Sequence, residues 1–143
     1  VQDLLMPQLK DKNVQLIIQI PQPLPELLID QSQIERVFIN LVGNAIKFTP
    51  SQGTITVSGE PRESDALFKV TDTGIGLKED ERRKLFNEFY RVDNEINQNV
   101  KGSGLGLSLA RKIIEAHNGQ IWVESVYKKG STFAFTIPLD DQK

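Results

Sequence analysis

The longest helical pattern in the chain runs from Asp30 to Phe48 and stops at Thr49-Pro50. At about 100° per residue, its apolar side chains fall within one stripe that is about 100° wide. The stripe consists of Ile34, Val37, Phe38, Leu41, Ala45 and Phe48. A helix with one apolar stripe has to pack against another layer, and β-branched runs elsewhere in the chain can form that layer as a sheet. Five of these runs are predicted strands: Val14–Ile20, Thr54–Gly59, Ala66–Thr71, Ile121–Val126 and Thr132–Ile137.

The remaining patterns complete a fold-class prediction. Helical patterns also cover residues 1–10, Glu79–Phe86 and Leu105–Ala116, and hairpins between strands imply a mixed sheet. We therefore predict a two-layer α/β sandwich, with a mixed five-stranded sheet packed against about three helices. The 143 residues fit one domain, 1–143, and show neither an internal repeat nor a linker. Because Val1 falls inside a helical pattern, we expect this domain to come from a longer protein.

Composition excludes several classes of function. The formal net charge of −2 gives no electrostatic reason to expect nucleic acid or an anionic membrane as a partner. Cysteine is absent, so disulfide frameworks and thiolate metal sites are excluded. The apolar runs are far shorter than a membrane span. The chain therefore has the composition of a globular domain.

Three polar side chains follow one edge of the apolar stripe. Asn40, Asn44 and Lys47 are stacked about one turn apart, at the predicted border between core and solvent. Asparagine is a poor helix former, because its amide competes for backbone hydrogen bonds. A solvated helix edge explains this pattern. So does a pocket wall in which amide oxygens hold Mg²⁺ and the ammonium group neutralises a phosphate.

A carboxylate directly follows the predicted strand Ala66–Thr71. It belongs to the segment Asp72–Gly76 (DTGIG), whose glycines permit a sharp turn and the close approach of a flat ligand. An ionised carboxylate only accepts hydrogen bonds. Adenine, with an amine at its six position, therefore suits Asp72, whereas guanine has a carbonyl there. A plain Asp-Thr-Gly turn at the end of a strand is the alternative interpretation.

A glycine triplet opens the last predicted helix. Gly102, Gly104 and Gly106 precede Leu107, and the free amide groups of a helix N-terminus suit a phosphate. The triplet lacks the preceding strand of a dinucleotide-binding fingerprint and the Gly-Lys-Ser/Thr ending of a P-loop. A phosphate site here therefore needs a different architecture.

Taken together, these motifs resemble the ATP-binding catalytic domain of sensor histidine kinases. That family is part of the ATPase superfamily that includes gyrase, the MutL repair proteins and the heat-shock chaperone ATPases. The resemblance covers essentially the whole chain and implies an α/β sandwich with ATP between the helices and a lid at roughly residues 90–104. The segments that carry it are Asn40–Pro50 (the asparagine box), Asp72–Gly76 (the first glycine box), Leu85–Arg91 (the phenylalanine box), Gly102–Leu107 (the second glycine box) and Gly130–Phe133 (the terminal strand).

The resemblance implies a magnesium site and an adenine pocket. Asn44 would be the principal Mg²⁺ ligand, with Asn40 supporting it. Asp72 would read adenine, and Gly74 and Gly76 would shape the base pocket.

The resemblance also implies contacts to the phosphates of ATP. Lys47 and Arg91 would touch them and would form the catalytic set together with Asn40. The further nucleotide-binding candidates are Lys101, Gly102, Gly104, Leu105, Gly106 and Leu107.

The implied activity is transfer of the γ-phosphoryl group of ATP to a histidine, in two-component signalling. Hydrolysing members of the superfamily carry a glutamate four residues before the magnesium asparagine. This chain has Asn40 there, an amide that cannot act as a general base, so transfer is favoured over hydrolysis. A hydrolase, a serine-directed kinase of the anti-sigma type and an interaction module without nucleotide are the alternatives.

The acceptor histidine of the family lies upstream, on a helical dimerisation domain. His117, the single histidine here, ends the last predicted helix, and we expect it to have a structural role. The implied partners are that dimerisation domain of the same protein and the receiver domain of a response regulator, with no nucleic acid and no direct membrane contact. We further expect a cytoplasmic location, compatible with the cytosolic part of a membrane-bound sensor, and a monomeric isolated domain.

Overall fold

The computed structural model describes residues 9–11, 13–20, 30–50, 52–79 and 106–139. These residues form a five-stranded sheet, two long helices that pack against it and against each other, and a short helical segment at residues 9–11. The elements in chain order are β1 (Gln15–Gln19), α1 (Gln31–Phe48), β2 (Thr54–Pro61), β3 (Asp65–Asp72), α2 (Gly106–Ala116), β4 (Ile121–Val126) and β5 (Gly130–Pro138). The predicted α/β sandwich is confirmed. The predicted helix Glu79–Phe86 and the lid at roughly residues 90–104 lie almost entirely outside the described residues.

The sheet is mixed, as predicted, and its strand order is β1-β2-β3-β5-β4. β1 runs parallel to β2, and every other neighbouring pair is antiparallel. β3 is therefore a central strand, between β2 and β5. Its last residue, Asp72, lies in the middle of one end of the sheet.

Helix α1 has a defined cap at each end. The carboxylate of Asp30 accepts a hydrogen bond from the Gln33 N–H at 3.2 Å, and Thr49 ends the helix by donating its hydroxyl to the Ala45 carbonyl at 2.6 Å. The predicted apolar stripe is buried or half-buried, but Val42 and Ile46, outside that stripe, are buried as well. The buried face is wider than predicted because α1 packs against α2 in addition to the sheet.

Three aromatic rings connect α1 to the sheet. The centroid of the Phe38 ring lies 5.7 Å from that of Phe68 on β3 and 5.2 Å from that of Phe135 on β5. Both contacts are edge-to-face, the favourable geometry for aromatic pairs. Apart from Asp72 and Ser131 at one end of the sheet, the other helix-facing positions of these two strands are apolar: Ala66 and Val70 on β3, and Phe133 and Ile137 on β5. Neither long helix in the described ranges combines the length and apolar character that crossing a bilayer requires.

Candidate functional site

The carboxylate of Asp72 lies at the end of β3, on the face of the sheet that the helices cover. Its side chain is buried, with the residue only 6% exposed. Oδ1 accepts hydrogen bonds from the Gly74 N–H at 2.8 Å and the Ser131 N–H at 3.3 Å. Among the described residues, nothing donates to Oδ2. A buried oxygen of this kind needs a donor, and a ligand can supply it.

The charge state of Asp72 is set by two opposing effects. Burial raises the pKa of the carboxyl group above its ordinary value, because desolvation penalises the charged form. The N–H groups of Gly74 and Ser131 oppose this effect by stabilising the carboxylate. A ligand amine that donates to Oδ2 would act in the same direction as these two groups. Ligand binding at this position is therefore coupled to ionisation of Asp72.

The two glycines of the loop that follows lie against the backbone of the protein itself. A Cβ on Gly74 would lie 2.4 Å from the carbonyl oxygen of Phe48, and one on Gly76 would lie 2.1 Å from that of Val126. Gly76 also has a φ of +68°, which L side chains rarely adopt. The sequence suggested that these glycines let a flat ligand approach. In the structure they let the ends of α1 and β4 close around the loop that carries Asp72.

Hydrogen bonds hold this loop on both sides. On the side of α1, the Ile75 N–H donates to the Phe48 carbonyl at 3.4 Å. On the side of the β4–β5 hairpin, the Lys128 N–H donates to the Ile75 carbonyl at 2.5 Å, and the Leu77 N–H donates to Ser125 Oγ at 2.7 Å. Hydrogen bonds therefore fix the loop between the end of α1 and the β4–β5 hairpin.

Two serines beside Asp72 had no assigned role in the sequence analysis. Ser131 pairs with Asp72 across β3 and β5, and Ser125 pairs with Ser131 across β5 and β4. Their hydroxyl oxygens lie 2.8 Å apart. The predicted hairpin between residues 121–126 and 132–137 signals that these serines come close. Their position next to Asp72 depends on the pairing of β3 with β5.

The polar edge of α1 lies where the helical pattern predicted it. Asn40, Asn44 and Lys47 are all half-buried, at the border between core and solvent. The side chain of Asn44 forms no hydrogen bond with the described residues, so its amide oxygen is available to a ligand. Asn40 and Lys47 both have interaction partners, and the Lys47 ammonium lies 5.9 Å from the centre of the Phe48 ring. The backbone carbonyl of Phe48 contacts the loop that follows Asp72, so α1 ends beside this loop.

The other predicted site residues divide into two groups. α2 begins at Gly106, and Leu107 is half-buried and packs against the hydrophobic core. Arg91, Lys101, Gly102, Gly104 and Leu105 lie outside the described residues. The structure thus brings together the end of α1, the DTGIG loop and the β4–β5 hairpin. His117 lies elsewhere, near Asp30 at the beginning of α1.

Comparison with known proteins finds a matching family and similar chains. The family model described as "Histidine kinase-, DNA gyrase B-, and HSP90-like ATPase" matches residues 29–141. The adaptive-response sensory kinase SasA of Gloeothece citriformis (strain PCC 7424) is 43% identical over 133 residues, which are 92% of this chain and 33% of SasA. The chain therefore spans about a third of the length of this curated relative.

Solved structures share the fold. The nucleotide-free catalytic domain of histidine kinase ThkA is 31% identical with a TM-score of 0.82, covering 96% of this chain and 88% of that one. Full-length ShkA in complex with AMPPNP is 28% identical with a TM-score of 0.84, covering 96% of this chain and 28% of that one. ThkA in complex with the response regulator TrrA is 29% identical with a TM-score of 0.79, covering 99% of this chain and 39% of that one.

Proposed function

The chain belongs to the family of histidine kinase-, DNA gyrase B- and HSP90-like ATPases, and we propose that it works as the catalytic domain of a sensor histidine kinase. In this function the domain binds ATP together with Mg²⁺. It then transfers the γ-phosphoryl group to a histidine on a separate helical dimerisation domain. The similarity to SasA, a sensory kinase, and to the catalytic domain of ThkA supports this assignment.

The observation that carries the proposal is the buried Oδ2 of Asp72, to which no described residue donates. The 6-amino group of adenine is a donor and fits this oxygen, whereas guanine would place a carbonyl oxygen against a carboxylate. Losing a hydrogen bond to a charged group costs about 1.5–3 kcal/mol, which is enough to separate the two bases by tenfold or more. Asp72 therefore supports adenine as the base.

The edge of α1 supports a magnesium site at the phosphates. The available amide oxygen of Asn44 is a hard ligand of the kind that Mg²⁺ accepts, and Asn40 lies one turn before it on the same edge. When bound, Mg²⁺ neutralises phosphate charge and orients the phosphoryl group for transfer. Lys47 would add an ammonium group on the same side. Arg91, Lys101, Gly102, Gly104 and Leu105 remain predicted nucleotide contacts.

Transfer is preferred to hydrolysis because of Asn40. An amide cannot take a proton from water, so this position supplies no general base. The chain's own residues then contribute positioning and charge neutralisation, and the acceptor histidine comes from the dimerisation domain. The similarity to ThkA, which was solved in complex with a response regulator, supports a receiver domain as the next partner.

Calorimetric titration of this chain with ATP and GTP, with and without Mg²⁺, tests the proposal. We expect saturable ATP binding that Mg²⁺ strengthens and GTP binding at least about tenfold weaker. Binding of neither nucleotide would contradict the proposal, and equal binding of both would contradict the role of Asp72.

Transfer itself needs the intact parent protein. Incubation with radiolabelled ATP should place label on a histidine outside residues 1–143. Rapid release of phosphate by the isolated chain would favour the hydrolase alternative instead.

A further inference from the structure

A row of polar side chains crosses the helix-facing side of the sheet at the end that carries Asp72. Asp72 on β3, Ser131 on β5 and Ser125 on β4 are register partners in succession. Asp72 and Ser131 are buried and Ser125 is half-buried. The next register row on this side is apolar, with Val70, Phe133 and Val123. Polar groups enclosed in this way must satisfy one another or a ligand.

The hydroxyl group of Ser125 is the junction of this row. Its oxygen accepts a hydrogen bond from the Leu77 N–H at 2.7 Å. It also lies 3.1 Å from the Gly130 carbonyl oxygen and 2.8 Å from Ser131 Oγ. A hydroxyl has one proton and two lone pairs. Ser125 accepts from the Leu77 N–H, and when its proton is donated to the Gly130 carbonyl its second lone pair accepts from the Ser131 hydroxyl.

Through these bonds Ser125 holds both backbone segments that surround Asp72. Leu77 lies at the far end of the loop that begins at Asp72, and the residue is buried. Ser131 donates its N–H to Asp72 Oδ1 at 3.3 Å, a long hydrogen bond that depends on where the β5 backbone lies. Without the Ser125 hydroxyl, the Leu77 N–H would lose its acceptor and the Ser131 hydroxyl would lose a partner.

We infer that Ser125 is a positioning residue for base recognition, which keeps Oδ2 of Asp72 directed at the 6-amino group of adenine by anchoring Leu77 and Ser131. Ser125 acts through these two residues and makes no contact with the nucleotide itself. The inference rests on the proposed function, since it assigns Ser125 to the adenine pocket of that same site. A purely structural serine would change stability while leaving base discrimination as it is.

Calorimetry on the full chain separates these two roles. ATP is compared with the triphosphate of purine riboside, which lacks only the 6-amino group. For Ser125→Ala we expect ATP binding about five- to tenfold weaker, as for the loss of one hydrogen bond, and analogue binding changed less than about twofold. Ser125→Thr keeps the hydroxyl and should retain the parent's preference for ATP over the analogue. Ser58→Ala, a serine on the opposite face of β2, is the matched control and should leave both affinities unchanged.

The results for the Ser125 variants distinguish a positioning role from a purely structural one. If Ser125→Ala keeps the discrimination of the parent, Ser125 is structural and the inference is wrong. If Ser125→Ala does not fold, Ser125→Cys and Ser125→Thr decide, because the thiol keeps the shape but hydrogen-bonds weakly. Equal discrimination by these two variants overturns the inference, and weaker discrimination by the cysteine variant supports it. A parent chain that binds no ATP would overturn the proposed function itself.

Discussion

The ring of His117, just after the end of α2, accepts a hydrogen bond at Nε2 from the backbone N–H of Asp30, at 3.0 Å. Nδ1 lies 2.8 Å from the carbonyl oxygen of Ile113. Because a carbonyl only accepts, Nδ1 carries the proton and the ring is neutral in this arrangement. Asp30 is the N-cap of α1, so one imidazole joins the N-cap of one helix to the last turn of the other.

The first prediction concerns this link. His117→Ala should lower the free energy of unfolding by about 1–2 kcal/mol, because the Asp30 N–H and the Ile113 carbonyl each lose a partner. Denaturant unfolding measures the effect, with Gln33→Ala, an exposed position on α1, as the control near zero. The structural role would be wrong if His117→Ala were as stable as the parent. Label from ATP that appears on His117 would identify it as an acceptor instead.

The second prediction compares two glycines. Gly76→Ala should lower the free energy of unfolding by more than about 2 kcal/mol, because it combines a φ of +68° with a Cβ that lies 2.1 Å from the Val126 carbonyl oxygen. Gly43, inside α1, has nothing within 4 Å of its Cβ position. Gly43→Ala should therefore stabilise the protein by about 0.5–1 kcal/mol through helix propensity. Thermal and denaturant unfolding of both variants checks the pair, and effects of similar sign would contradict it.

The third prediction concerns the pH dependence of stability. Burial raises the pKa of Asp72 in the folded state, so between its ordinary pKa and the raised value the folded protein binds more protons than the unfolded chain. Acidification through this interval should therefore stabilise the nucleotide-free parent relative to Asp72→Asn, which cannot titrate there. Above the raised pKa the difference between the two proteins should be constant.

Unfolding free energies of both proteins across a pH series measure this difference, and the subtraction cancels the other titrating groups. A difference that stayed flat through the whole acid range would show that Asp72 titrates as an ordinary carboxyl group. A parent that lost stability relative to the variant on acidification would reverse the sign and contradict the effect of burial.

The fourth prediction concerns Asn44. Asn44→Ala should abolish the strengthening of ATP binding by Mg²⁺, a loss of at least about tenfold, while magnesium-free binding stays close to that of the parent. Stability should change little, because Asn44 is half-buried and alanine is the better helix former. Asn44→Asp keeps a hard oxygen and is the matched control that should retain a magnesium effect. A normal response of Asn44→Ala to Mg²⁺ would remove Asn44 as the ligand.

Most secondary-structure elements in the described ranges could be predicted because their signals are local. The helical pattern from Asp30 matches α1 and its cap, and the predicted strand Ile121–Val126 has the bounds of β4. β5 begins at Gly130, two residues before the predicted start, because Gly130 already pairs with Val126. A glycine before a strand is taken for a turn when the pairing partner is unknown.

The motifs likewise located Asp72 and the edge of α1 with Asn40, Asn44 and Lys47, because hydrophobic periodicity and strand ends are read from neighbouring residues. The sequence alone thus determined which of these segments form helices or strands and where the polar groups lie along them. What surrounds Asp72 was decided by the tertiary structure. Ser131 lies 59 residues from Asp72 in the chain, and their contact exists because β5 pairs with β3 in one register. The assembly of sheet and helices buries the carboxylate and raises its pKa, since desolvation depends on what packs around a group and not on its neighbours in sequence.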